Sequence, residues 1–146
     1  EAIRQGKPAH WNYIDGCMIT CLLTINNITG DAKYFDFAER FIDYYVSEDG
    51  SILGYDKQKY NLDDINEGRV LFELYERTKK EKYRLAIEKQ YEHIKEQPRT
   101  VTGNFWHKKI YPNQVWLDGM YMGQPFYMEY ETKFNNNSFN IKIYEG

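Results

Sequence analysis

The feature that most limits what this chain can fold into is an internal repeat. Leu22-Leu-Thr-Ile-Asn-Asn-Ile-Thr29 returns 49 positions later as Leu71-Phe-Glu-Leu-Tyr-Glu-Arg-Thr78, and the same shift carries Lys33-Tyr34 onto Lys82-Tyr83 and Asp15 onto Asp64. A shift of 54 carries Asp64 onto Asp118 and Thr78 onto Thr132, so a step of 14 positions leads from Asp to Thr in every unit. Each unit reads as a pair of helices. Apolar residues fall on a helical period at Met18, Leu22 and Ile25, then at Phe35, Ala38, Phe41, Ile42 and Tyr45. The predicted helices run over 14–27, 32–46, 66–77, 80–97 and 115–133, with a long aromatic-bearing loop over 98–112. A repeated helix pair cannot bury its apolar face alone and stacks on its neighbours, giving an α-solenoid or a closed α/α toroid. In a toroid the acids that open each inner helix converge on one mouth.

The repeat fails after Phe134. Asn-rich sequence replaces the expected helix, and Phe139, Ile141 and Ile143 alternate as in a strand. The expectation is therefore an all-α chain holding two and a half helical hairpins over 1–134, with a tail of different character over 135–146.

At 146 residues the chain suits one domain, and its net charge of −3 without a Lys/Arg cluster argues against nucleic acid as a partner. With 14 Tyr, 8 Phe and 3 Trp it has the rings either for tight helix packing or for a cleft that stacks sugars. Cys17 and Cys21 lie four apart, on one face of a predicted helix, where small core residues are expected; they are poorly placed to bridge each other and suggest a reducing, cytoplasmic setting. No apolar run is long enough to span a membrane.

Three clusters could carry chemistry. Asp118 stands among Trp116, Met120, Tyr121 and Met122, where burial would raise its pKa and fit it for general acid work; a helix cap is the alternative. Asp63 and Asp64 are adjacent acids ahead of a helix, and capping requires only one of them. Trp106-His107-Lys108-Lys109 is a cationic, aromatic loop segment read as exposed. His10 and His93 read as structural. No nucleophile elbow, phosphate loop, dinucleotide fingerprint or His/Cys metal spacing is present. Carboxylate acid/base chemistry on a carbohydrate is what remains.

Taken together, Gln97-Pro-Arg-Thr100, Gly103-Asn-Phe-Trp-His107, Tyr111-Pro112 and Trp116-Leu-Asp118-Gly-Met-Tyr-Met122 resemble the unsaturated rhamnogalacturonyl hydrolases of glycoside hydrolase family 105, a Bacillus member in particular. The resemblance implies an (α/α)6 barrel. It also implies removal of a 4,5-unsaturated galacturonic acid from the non-reducing end of pectin-lyase products, by hydration of a vinyl ether. By motif match, Asp118 is the acid that protonates C4 and Asp63 is the second active-site carboxylate, leaving Asp64 as the cap. His107 and Trp116 match sugar-contacting positions, and Asp64, Trp106, Tyr13 and Met122 complete the candidate substrate contacts. No metal or organic cofactor is implied, and the partner is an unsaturated rhamnogalacturonan oligosaccharide. Members of the family are considerably longer than this chain, so apolar faces should be left uncovered. An inactive helical fragment and a related unsaturated glucuronyl hydrolase are the alternatives.

Overall fold

The structure, a computed structural model, describes residues 10–135. In chain order these form α1 (Tyr13–Thr29), α2 (Ala32–Tyr45), a 3-10 turn (Lys57–Lys59), the single turn α3 (Asp63–Asn66), α4 (Arg69–Thr78), α5 (Glu81–Glu96) and α6 (Leu117–Phe134). Among the described residues there are no strands, only isolated bridges. The fold is all-α, as the repeat requires. The expected strand-like tail lies outside the described residues.

Local chemistry sets the helix limits. Asn12 caps α1, its Oδ1 accepting the N–H groups of Ile14 and Asp15 at 2.9 and 3.3 Å. Gly30 ends that helix in the left-handed region at φ 70°, where its N–H reaches the Asn26 carbonyl. Asp31 then caps α2 by accepting from the Lys33 N–H at 3.1 Å. On α2 the core follows the predicted stripe, but on α1 it lies on Ile19 and Leu23, one position round from the expected residues: Met18 and Ile25 are exposed and Leu22 is only half-buried. Ile19, Ala38, Ile42, Leu71, Leu74, Tyr83, Ala86, Ile87, Ile94 and Phe126 are fully or almost fully buried, each larger apolar side chain contributing about 1.5–3 kcal/mol.

Two further expectations fail here. The second inner helix does not start at residue 66: it begins as α3, breaks at Glu67-Gly68 and resumes as α4. The break brings Glu67 against α1, where a Cβ on Gly16 would stand 2.6 Å from the Glu67 Cα. Close approach fixes glycine at that position. The second failure concerns the cysteines. Cys17 and Cys21 do share a face, but it is the exposed one, and both are free thiols. Ile14, Met18, Ile25 and Ile28 are exposed on the same helix, so α1 does leave apolar surface uncovered.

Candidate active site

The site is assembled where α3, the 97–116 loop and the first turn of α6 meet. The loop is stapled in place by backbone and amide contacts. The Leu62 N–H donates to the His107 carbonyl at 3.1 Å, and the His107 N–H donates to the Gln114 carbonyl at 2.8 Å. Lys108 pairs with Asn61 in an antiparallel bridge. Gln97 donates from Nε2 to the carbonyls of both Tyr60 and Trp106, at 2.9 and 2.7 Å. His107 and Lys108 thereby stand directly beside the α3 turn.

That placement gathers three of the sequence-derived residues. One donor atom each from Asp63, His107 and Asp118 lie within 4.8 Å of one another. His107 Nε2 stands 3.5 Å from Asp63 Oδ1, while Lys108 Nζ holds Asp63 Oδ2 at 2.8 Å. Asn61 Oδ1 accepts the Asp63 N–H at 3.2 Å, so the asparagine, not an aspartate, opens this turn. Trp116 stacks on His107 with centroids 4.2 Å apart and planes 11° from parallel, and Tyr111 also stacks on Trp116, at 5.3 Å. The ring stack fixes the imidazole while leaving Trp116 partly exposed.

Glycine explains how α6 comes so close. A Cβ at Gly119 would stand 2.7 Å from His107 Nδ1 and 3.4 Å from Leu62. The Asp-Gly pair is thus one device: the acid is presented by a turn that lies flat on the histidine.

Several expectations are corrected by this geometry. Asp118 is exposed, not enclosed by its apolar neighbours. Nor is it a cap: Trp116 holds the N-cap position without a side-chain bond, and Asp118 Oδ1 accepts the N–H of its own neighbour Gly119, at 3.0 Å. His107 is buried, not exposed, and burial pulls its pKa down against the opposing pull of Asp63 and Asp118. Asp64 is neither a cap nor at the mouth. It is buried in α3, its Oδ1 takes a hydrogen bond from Asn61 Nδ2 at 3.1 Å, and burial pushes its pKa up to about 6. Met122 is buried in the core with Phe126. Trp106 is half-buried, and its indole Nε1 has no hydrogen-bond partner among the described residues. Tyr13 is exposed at the start of α1, where its carbonyl receives Asn66 Nδ2 at 3.5 Å.

Other important residues carry no motif. Trp11 is fully buried and donates from Nε1 to the Asp64 carbonyl at 2.8 Å, and Gln90 Nε2 donates to that same oxygen at 2.8 Å. Glu67 is fully buried and takes the Asn12 N–H on Oε2 at 2.7 Å, yet burial still raises its pKa to about 9. His93 proves structural, as expected: it is fully buried between Tyr55 Oη at 2.6 Å and Gln97 Oε1 at 2.9 Å.

The family model for Glycosyl Hydrolase Family 88 matches residues 1–145. The chain belongs to that family. It is also similar to a solved glycoside hydrolase from family 105 of C. acetobutylicum ATCC 824, with a TM-score of 0.84 and 41% identity over 91% of this chain. The match covers 38% of the solved chain, so this family 88 member spans well under half of that protein's length. Its helices are those of an (α/α)6-type fold, of which the described residues form a part. No helix among them is long and apolar enough to cross a membrane.

Proposed function

We propose that this family 88 chain is part of an unsaturated uronyl hydrolase acting on pectin-lyase fragments, with 4,5-unsaturated galacturonyl-rhamnose as its substrate class and the cytoplasm as its setting. The observation that carries the reading is the meeting of Asp118, Asp63 and His107 in one small space, Asp118 and His107 standing on sequence segments that carry the family resemblance.

In this reading Asp118 gives its proton to C4 of the C4=C5 bond. Water adds at C5 and gives up a proton, which returns to the carboxylate left on Asp118, and the resulting hemiketal opens to release the remaining oligosaccharide. Its exposure suits a group that must reach a substrate carbon. Asp63 is held from one side by Lys108 and faces His107 on the other, which suits a carboxylate that positions water or a sugar hydroxyl. Trp116 offers a partly exposed ring for sugar stacking.

One chemical point limits how the substrate can be told apart from its glucuronyl relative. The double bond removes the stereocentre at C4, the position at which galacturonate and glucuronate differ. Discrimination must then come from the linkage and the next sugar. The test is loss of ultraviolet absorbance from the conjugated C=C on unsaturated galacturonyl-rhamnose and on an unsaturated glucuronyl disaccharide. It is run with this chain and with a chimera that continues it with the remaining helices of the C. acetobutylicum enzyme. Faster loss with the rhamnose-linked substrate is expected. Loss only with the glucuronyl substrate would move the assignment to the related enzymes, and loss with neither would overturn it.

A further inference from the structure

Three side chains from three separate segments each put one donor atom into the same space: Asp63 from α3, His107 from the loop and Asp118 from α6, all within 4.8 Å of one another. We propose that this trio binds a divalent transition cation of the zinc class, and that a cation held there withdraws both carboxylates from use. Two carboxylate oxygens and one imidazole nitrogen are donors that zinc accepts, with a fourth position left for water. Magnesium and calcium ask for six or more oxygen donors, which this set does not offer.

The donors are free to do this. Lys108 occupies Asp63 Oδ2 at 2.8 Å and leaves Oδ1 facing His107 Nε2 at 3.5 Å, a separation too long for a good hydrogen bond. His107 is buried, its Nδ1 has no hydrogen-bond partner among the described residues and lies against Gly119, and its ring is stacked on Trp116. Asp63 Oδ1 and His107 Nε2 are therefore both held in place and lie side by side. Asp118 is exposed and can adjust its rotamer. Tetrahedral donors about 2.0–2.2 Å from zinc lie about 3–3.5 Å apart, so closing on a cation asks a movement of about an ångström from the one mobile member. Binding of the cation is argued without turnover, whereas its withdrawal of the carboxylates rests on the hydrolase reading.

The exposed pair Cys17 and Cys21, one turn apart on α1, is the competing zinc ligand set, and the test must separate the two. Zinc is titrated calorimetrically, without substrate, into the wild-type chain, into Cys17→Ser/Cys21→Ser, and into that double variant carrying Asp118→Asn or Asp63→Asn. Circular dichroism checks that each variant is folded. One equivalent of zinc should bind to the double variant. Either carboxylate change should weaken it about tenfold or more, since even outer partners of metal ligands are worth that much. Cobalt on the wild-type chain should show ligand-field bands without a thiolate charge-transfer band. The proposal is overturned if the double variant takes up no zinc, if Asp118→Asn binds as tightly as its parent, or if thiolate charge transfer dominates. A chain that binds zinc but leaves the disaccharide untouched even after the metal is chelated away would count against the hydrolase reading alone. A chain that hydrolyses but ignores zinc would count against this proposal alone.

Discussion

The α3 turn and the first turn of α6 begin at the same place in the repeat and end in opposite states. At α3 the peptide carbonyl of Asp64 accepts from Trp11 and Gln90, its carboxylate is buried against Asn61, and neighbouring Asp63 is gripped by Lys108. At α6 no side chain caps the turn, and Asp118 stands exposed, its carboxylate hydrogen-bonded to the adjacent Gly119 N–H and otherwise facing Asp63 and His107. One turn is tied into the core and the other is laid across it. Sequence register equates Asp64 with Asp118, yet in space it is Asp63 that meets Asp118. Successive helical residues point about 100° apart, so adjacent acids cannot both face the mouth. The repeat copies helices, and the break at Glu67-Gly68 decides which carboxylate is turned inward.

The sharpest way to break this contrast is to remove what ties the α3 turn down. Trp11→Ala deletes a fully buried ring and its hydrogen bond to the Asp64 carbonyl, and should cost about 3–5 kcal/mol in urea unfolding. A cost under about 1 kcal/mol would mean that the turn is held by something else.

Asp64 offers a pH test of the same turn. Burial lifts its carboxyl from the ordinary aspartate value to about 6, so the folded state prefers the protonated form. Its stabilising share is then fully present below the unfolded value and lost as pH rises through the folded one. Asp64→Asn mimics the neutral carboxyl and should remove this loss. Relative to the wild type, the variant should gain on the order of 3 kcal/mol between about pH 4 and about pH 7. Urea unfolding of both proteins at the two pH values measures the gain, and a difference that does not change with pH would contradict the buried assignment.

At α6 the expected effects on stability are smaller. Gly119→Ala places a methyl group 2.7 Å from His107 Nδ1 and should cost about 1–3 kcal/mol, with the Trp116 stack visibly disturbed in the aromatic NMR signals. Asp118→Asn, on the exposed turn, should leave the unfolding midpoint unchanged. A large loss there would make Asp118 structural.

Much of this was legible in the chain itself. Helical periodicity located the hairpins within a few residues, because apolar spacing of that kind has few other solutions. The Trp-Leu-Asp-Gly and Phe-Trp-His segments led to Asp118 and His107. What could not be read was burial. His107 looked exposed because its neighbours are Trp and Lys; only the staples from Gln97 and Leu62, and the missing side chain of Gly119, drive it inward. Cys17 and Cys21 were assigned to one face correctly and to the wrong side, since periodicity defines a stripe without saying what covers it. The resemblance leaves Asp64 as the cap once Asp63 is given to the site, yet no side chain caps this turn; Asn61 accepts the Asp63 N–H from two residues ahead, and its position is the available signal.

The central claim is that Asp118 is a chemical group and not a structural one. It is tested most directly by following the vinyl-ether absorbance of unsaturated galacturonyl-rhamnose with the chain continued by its relative's remaining helices, with and without Asp118→Asn. The account predicts a rate at least about 100-fold lower in the variant, the range expected for losing a general acid, with an unaltered circular dichroism spectrum and unfolding midpoint. A variant that consumes the substrate at the wild-type rate would contradict it.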